Sequence, residues 1–222
     1  MSLYEDRKRR LSEARLYFVC DARPAGRELE ALLAEALANG ADMIQLRDKE
    51  LGDAELIDAA RAFRRAADAH GALFLINDRP DLVEACRADG VHGGQDDVSP
   101  SHARGLLPPE ALLGLSTHSR DQIEAAQELG EAAPDYLSVG PVWETPTKPG
   151  RPSVGLELID TAARIVRLPW FAIGGIDADT VGEVVAAGAR RVVVVRAIRD
   201  ASDPAAVSRT LRDAVESAVE VG

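Results

Sequence analysis

The stretch from Leu73 to Arg79 reads LFLINDR, four consecutive apolar residues followed by three polar ones. A continuous apolar run of this kind is typical of a strand buried on both faces of a parallel sheet, because a strand with one solvated face alternates apolar and polar residues. A second run, VVVV, is followed directly by Arg196. The repeated arrangement predicts buried parallel strands that end in polar residues.

Eight segments fit this description, and amphipathic stretches with helical spacing separate them. The predicted strands cover residues 16–20, 43–47, 73–77, 91–94, 112–117, 136–140, 170–175 and 191–195. This alternation favours an α/β fold, a single (β/α)8 TIM barrel over residues 15–222 preceded by a short N-terminal extension, an arm at residues 1–14. An open doubly wound sheet is the alternative.

Composition limits the class of protein further. The chain has 26 Lys and Arg against 37 Asp and Glu, a net charge of −11, which argues against general affinity for nucleic acid. No apolar run approaches the roughly 20 residues that span a bilayer, and Cys20 and Cys86 are too few for a disulfide framework. We therefore expect a cytoplasmic protein with neither nucleic acid nor membrane as partner. The RKRR run at residues 7–10 is interpreted as a solvated charge run.

Basic residues follow the second predicted strand. Alternation in QLRDK places Gln45, Arg47 and Lys49 on one side, and Lys148 lies in a long loop after the sixth strand. In TIM barrels the reactive residues lie at the carboxyl ends of the strands, so these cations are expected to converge on an anion there. Taken singly, each of them is better explained as a solvated surface residue, and the shared side of Gln45, Arg47 and Lys49 weakens that alternative.

Acidic residues follow the next two strands. Asp78 and Asp97 are expected to meet, because neighbouring parallel strands end at the same edge, and paired carboxylates suit Mg²⁺. The alternatives are an Asx-turn for Asp78 and a helix N-cap for Asp97. Asp96 competes for the ligand role, and spacing alone does not exclude it.

The last strands end in turns that suit a phosphate. Gly174 and Gly175 after the seventh strand, and Arg196 after the eighth, are expected to bind one, although a Gly-Gly pair also marks a tight turn. Of the histidines, His92 is interpreted as a hydrogen-bonded structural residue, whereas His118 at a strand end is a catalytic candidate.

Seven motifs in order, QLRDKE, INDR, VHGGQDD, GLSTH, VGPVWETPTKPG, FAIGGI and VVVVRAI, resemble those of the thiamine-phosphate synthase family. The resemblance implies condensation of 4-amino-2-methyl-5-pyrimidinylmethyl diphosphate with 4-methyl-5-thiazolylethyl phosphate, giving thiamine phosphate and pyrophosphate. It also implies a dissociative mechanism, in which the diphosphate leaves before the thiazole nitrogen attacks, with Mg²⁺ as cofactor. The expected partners are these small phosphorylated substrates. Whether the protein forms a homo-oligomer is left open.

The resemblance assigns roles to residues of this chain. Arg47, Lys49 and Lys148 would neutralise the leaving group, and Asp78 and Asp97 would hold Mg²⁺. The implied pyrimidine and diphosphate contacts are Gln45, Arg47, Lys49, Asn77, Ser116 and Lys148. The implied thiazole-phosphate contacts are Thr145, Pro146, Thr147, Gly175, Val195 and Arg196.

Two residues depart from the family pattern. Arg196 stands where members often have Ser, and Gly93 stands where an apolar residue is commoner. A related thiazole tautomerase, with His118 as acid and base, is the nearest alternative activity. A non-catalytic sensor of a phosphorylated ligand is the alternative from another class.

Overall fold

Parallel strands close into a barrel in which each strand pairs with the next and the last pairs with the first. The computed structural model describes residues 1–145 and 152–220. The strands are β1 Leu16–Cys20, β2 Met43–Leu46, β3 Leu73–Asn77, β4 Gly90–Gly93, β5 Leu112–Thr117, β6 Tyr136–Val139, β7 Trp170–Ile173 and β8 Val192–Val194. The helices are α1 Leu3–Glu13, α2 Leu29–Ala38, α3 Asp53–His70, α4 Pro100–Leu106, α5 Arg120–Gln127, α6 Gly155–Ile165, α7 Val181–Ala186, α8 Arg196–Arg199 and α9 Pro204–Glu220, with 3-10 turns at Pro80–Leu82 and Gly130–Ala132.

The predicted TIM barrel is confirmed, and each predicted strand is present with ends displaced by one or two residues at most. The alternative of an open doubly wound sheet is wrong, because β8 pairs with β1 in parallel.

Two apolar layers explain why the strands are continuously hydrophobic. Phe18, Ile44 and Phe74 belong to a cluster that includes the core faces of the helices. Tyr17 and Met43, which alternate with them along the chain, belong to a separate cluster. Since successive side chains of a strand point to opposite faces, the second cluster fills the barrel interior. Both faces of each strand are therefore buried.

Helix α1 packs across the amino-terminal end of the barrel. Leu11 is fully buried in the inner cluster. Nε of Arg7 lies 3.0 Å from Oδ1 of Asp89, and both side chains are largely buried, at 11% and 6% exposed. The expectation of a solvated RKRR run is therefore wrong for Arg7, because a buried aspartate next to β4 requires a cationic partner. The domain boundary at residue 14 stays a prediction.

In the part of the chain that the structure describes, no helix is both long and apolar enough to cross a membrane. The cytoplasmic location stays a prediction.

Candidate active site

A cavity of about 330 Å³ lies at the carboxyl ends of the strands. The strand ends supply most of its wall, which is where TIM barrels carry their reactive groups. Ten of the residues expected at the site line it: Gln45, Arg47, Asn77, Ser116, His118, Thr145, Gly174, Gly175, Val195 and Arg196. Segments far apart in sequence thus converge on one pocket.

The floor of the cavity holds two polar side chains that are nearly inaccessible to solvent. Gln45 is 2% exposed and Ser116 is 4% exposed. The Gln45 amide nitrogen donates to the hydroxyl of Tyr17, and Ser116 Oγ lies 2.9 Å from His92 Nε2. Because buried polar atoms need partners, these contacts fix both side chains in place.

Cationic side chains stand on two walls of the cavity, after β2 and after β8, the two strands that flank β1. Arg47 follows β2, is half-buried and lines the cavity. Arg196 follows β8 and is exposed at the rim. The Arg199 guanidinium holds the pKa of Asp200 below its usual range, and Arg196 adds to that effect. Both walls can therefore present positive charge to an anion.

Lys49 does not line the cavity with Gln45 and Arg47. Strand β2 ends at Leu46, so the alternation that would orient Lys49 inward stops before it. Its Nζ lies 2.9 Å from Oδ2 of Asp78 instead. The lysine is therefore placed at the mouth, beside the predicted metal ligands.

The carboxyl groups of Asp78 and Asp97 interact with each other. Burial raises the pKa of Asp78, and the Asp97 carboxyl raises it further, although Lys49 opposes the shift. The backbone at Asp78 is left-handed, with φ of 61°, an unusual conformation that is enriched at functional sites. A carboxyl group whose pKa is raised by burial and by an adjacent carboxyl group is stabilised in its ionised form by a nearby cation.

The helix N-cap alternative for Asp97 is wrong, whereas the Asx-turn alternative for Asp78 stays open. Ser99 caps α4, since its Oγ accepts a hydrogen bond from the His102 backbone nitrogen at 3.4 Å. Asp97 instead accepts from the Gly94 backbone nitrogen at 2.8 Å. Asp97 and not Asp96 is the acidic neighbour that shifts the pKa of Asp78.

The donor set fits a hard divalent cation. Mg²⁺ prefers oxygen ligands and keeps several waters, so two carboxylates suffice when the substrate supplies further oxygens. Across residues 1–145 and 152–220, no cluster of three or more His, Cys, Asp or Glu side chains could hold a metal by itself. A cation here would thus be shared between protein, water and ligand.

The Gly-Gly turn serves two purposes. Gly174 and Gly175 have φ of 103° and 72°, which side chains rarely adopt. A Cβ placed on Gly175 would lie 2.8 Å from Trp143 Cβ. The turn therefore allows the segment after β6 to approach closely, and Gly175 also lines the cavity.

Thr145 also lines the cavity. The other predicted residues of the loop after β6, Pro146, Thr147 and Lys148, lie outside the described residues, and their roles stay predictions.

Both histidines near the site have defined contacts. Nδ1 of His118 donates to the carbonyl oxygen of Gly140, and His118 lines the cavity. His92 is hydrogen-bonded at both ring nitrogens, as expected, with Tyr136 Oη at 2.9 Å from Nδ1. Its position in the cavity wall was not predicted. The strand register would have indicated this position. His92 on β4 pairs with Asn77 on β3, so the two side chains point to the same face of the sheet.

Ser138 and Gly93 are two small residues of this region that the contacts just described leave unexplained. Ser138 lines the cavity, and its buried hydroxyl has no hydrogen-bond partner among the described residues. Within the same part of the chain, no atom lies within 4 Å of a Cβ built on Gly93. The apolar residue commoner in the family pattern therefore finds space at position 93.

Comparison with known proteins agrees with this geometry. A family model described as thiamine monophosphate synthase matches residues 16–198. The thiamine-phosphate synthase of Thermobifida fusca is 47% identical over 212 residues, which cover 94% of this chain and 95% of the relative. That of Acidothermus cellulolyticus is 48% identical over 199 residues, covering 89% and 93% of the two chains.

A solved structure extends the similarity to the fold. Thiamine phosphate pyrophosphorylase from Pyrococcus furiosus superposes with a TM-score of 0.82 at 31% sequence identity, covering 94% of this chain and 98% of that one. The residues that match the family model include every strand of the barrel, from β1 to β8. The chain therefore belongs to the thiamine monophosphate synthase family of transferases.

Proposed function

We propose that this chain is a thiamine-phosphate synthase, which joins 4-amino-2-methyl-5-pyrimidinylmethyl diphosphate to 4-methyl-5-thiazolylethyl phosphate and releases pyrophosphate. The observation that carries the proposal is a cavity with a polar floor and cationic walls, next to which Asp78, directly after the lining residue Asn77, interacts with the Asp97 carboxyl group. These features match one aromatic ring and two phosphorylated groups. Relatives named thiamine-phosphate synthase support the same reaction.

The pyrimidine diphosphate would occupy the side of the cavity formed by β2 and β3. Gln45 and Ser116 would contact the ring at the floor. Arg47 and Asn77 line the wall above it, where the guanidinium offers two parallel hydrogen bonds to phosphate oxygens. Lys49 and Lys148 would add positive charge near the leaving group.

Asp78 and Asp97 would hold Mg²⁺ at the mouth. When bound there, Mg²⁺ would neutralise charge on the diphosphate oxygens and so favour their departure. The raised pKa of Asp78 supports this assignment, because an adjacent pair of carboxyl groups is stabilised by a shared cation.

The proposed reaction needs charge neutralisation more than a strong base. The bond between the methylene carbon and the diphosphate oxygen breaks, and the electron pair leaves with pyrophosphate. The aminopyrimidine delocalises the resulting cation until the lone pair of the thiazole nitrogen forms the new carbon–nitrogen bond. The residues of the chain hold the two substrates in line, and the apolar walls from Val19, Ile173 and Val193 keep water away.

The thiazole phosphate would bind on the side formed by β6, β7 and β8. Thr145, Gly175, Val195 and Arg196 line that side, and β7 lies across the barrel from β3. The two phosphorylated groups would then approach from opposite walls, with the reacting carbon and nitrogen between them.

An assay with omitted substrates tests the proposal. With both substrates and Mg²⁺, thiamine phosphate should form, and neither substrate alone should change. Isomerisation of a thiazole phosphate without the pyrimidine substrate would favour the tautomerase with His118 as acid and base. Binding of either compound without turnover would favour a sensor. Asp78→Asn provides the matched inactive control.

A further inference from the structure

Five buried side chains form one hydrogen-bonded chain inside the barrel. It begins at Gln45, whose amide nitrogen donates to Tyr17. Tyr17 Oη lies 3.1 Å from Tyr136 Oη, and Tyr136 Oη lies 2.9 Å from His92 Nδ1. His92 Nε2 lies 2.9 Å from Ser116 Oγ. The chain thus joins the two polar residues of the cavity floor, none of its members being more than 7% exposed.

We propose that this chain of hydrogen bonds fixes which group of the cavity floor accepts a hydrogen bond and which group donates one, a property called here the polarity of the floor. The site would thereby select a 4-aminopyrimidine over the 4-oxo compound. Tyr136 and His92 are then positioning residues, which act through Gln45 and Ser116. The selection between the two pyrimidines rests on the proposed function, because that function places the pyrimidine on this floor. The polarity of the floor does not rest on the proposed function.

The direction of each hydrogen bond follows from the first. Tyr17 accepts from the Gln45 amide, so its own hydroxyl hydrogen is donated to Tyr136. Tyr136 then donates to Nδ1 of His92, which must be unprotonated. The neutral imidazole carries its hydrogen on Nε2 and donates it to Ser116 Oγ.

Two observations support a chain of fixed direction. Burial raises the pKa of both Tyr17 and Tyr136, so each phenol keeps its proton and supplies one donor. Gly114 provides the space, because a Cβ at this position would overlap the Tyr136 phenol and lie 2.5 Å from His92 Nδ1. The contact between Tyr136 and His92 is therefore built into β5.

The polarity leaves an acceptor on Gln45 and a donor on Ser116 at the floor. The Gln45 amide oxygen is the acceptor, and the Ser116 hydroxyl hydrogen is the donor. An exocyclic amino group donates to the first, and a ring nitrogen accepts from the second. A 4-oxo group would instead set its oxygen against the Gln45 oxygen, which leaves two buried acceptors facing each other.

The tautomer of His92 tests the polarity in the protein without substrate. Histidine labelled with ¹⁵N gives distinct nitrogen shifts for the two tautomers, and His92→Gln identifies the signal among the four histidines. We expect His92 with its hydrogen on Nε2. A hydrogen on Nδ1 overturns the proposal, because every bond of the chain would then run in the opposite direction.

Calorimetric binding of the 4-amino and 4-oxo pyrimidinylmethyl diphosphates, with Mg²⁺ present, tests the selection. We expect the amino compound to bind at least about 100-fold more tightly, since sites built for a hydrogen bond reject ligands that cannot make it. Tyr136→Phe keeps the ring and removes the central hydroxyl, so it should reduce this ratio by about tenfold. Tyr4→Phe is the matched control, because the Tyr4 hydroxyl binds Asp135 near the amino-terminal end of β6.

Equal binding of the two compounds by the unmodified protein overturns the selection and leaves the proposed function standing. The same ratio in Tyr136→Phe as in the unmodified protein also overturns it. Binding of neither compound contradicts the proposed function as well, and the His92 tautomer still decides the polarity.

Discussion

The ammonium nitrogen of Lys49 lies 2.9 Å from Oδ2 of Asp78, and the two side chains are 54% and 21% exposed. A residue expected to stabilise a leaving diphosphate is thus paired with a residue expected to bind Mg²⁺. The ammonium lowers the pKa of Asp78 against the combined effects of burial and Asp97. A divalent cation that binds Asp78 must share the carboxylate with this lysine or displace it.

Lys49→Met should separate these two roles. Without the competing ammonium, the free protein should bind Mn²⁺, measured by electron paramagnetic resonance, about two- to fivefold more tightly. Turnover should fall by about 10- to 100-fold, because positive charge at the leaving group is lost. Lys8→Met, at the far end of the barrel beside Asp135, should change neither quantity. Weaker Mn²⁺ binding in Lys49→Met would contradict the competition.

Asp78→Asn should strongly reduce activity without destabilising the protein. The pKa of Asp78 is raised in the folded protein, so protonation of this carboxyl group stabilises the fold at low pH. That stabilisation is lost as the pH rises through the raised pKa, and at neutral pH the ionised carboxylate is unfavourable. The neutral amide should therefore raise the melting temperature measured without Mg²⁺. Turnover should fall by about 100- to 1,000-fold, with the affinity for thiazole phosphate retained. Equal loss of both would show that Asp78 is misassigned.

The barrel could be predicted from the sequence because its strands are buried on both faces. LFLI at residues 73–76 and VVVV at residues 192–195 indicate such strands without any knowledge of tertiary contacts. The polar strand ends then locate the cavity, since all strands of a TIM barrel end on the same side.

What could not be predicted depends on contacts between distant residues. Alternation predicts the direction of Arg47 but fails for Lys49, because the strand ends between Gln45 and Lys49. The burial of Arg7 depends on Asp89, which lies 82 residues away in sequence. The hydrogen-bonded chain through Tyr17 and His92 joins residues of five strands, whose register periodicity alone does not supply.

Ser116 and Ser138 form a matched pair for a stability measurement. They are register partners on β5 and β6, yet Ser116 is hydrogen-bonded to His92 and the Ser138 hydroxyl has no partner among the described residues. Ser138→Ala should stabilise the protein by about 1 kcal/mol, because an unsatisfied buried hydroxyl is removed. Ser116→Ala should destabilise it by a similar amount. Chemical denaturation measures both, and destabilisation by Ser138→Ala would show that its hydroxyl is satisfied.

Arg196→Ser tests the cation on the rim. If the guanidinium contacts the thiazole phosphate, the KM for that substrate should rise about tenfold, since a charge-assisted hydrogen bond is lost. The KM for the pyrimidine diphosphate should stay the same. Arg61→Ser on the exposed face of α3, where Arg61 pairs only with Asp58 among the described residues, is the control. An unchanged KM in Arg196→Ser would place the side chain outside the site.

The most direct test of the account is release of pyrophosphate by the purified protein in the presence and absence of Mg²⁺. With both substrates and Mg²⁺, pyrophosphate and thiamine phosphate should appear in equal amounts. Chelation of the metal should stop both, and restored Mg²⁺ should recover them. Absence of product with both substrates and Mg²⁺ present would contradict the proposed synthase, and full activity after chelation would contradict the role assigned to Asp78 and Asp97.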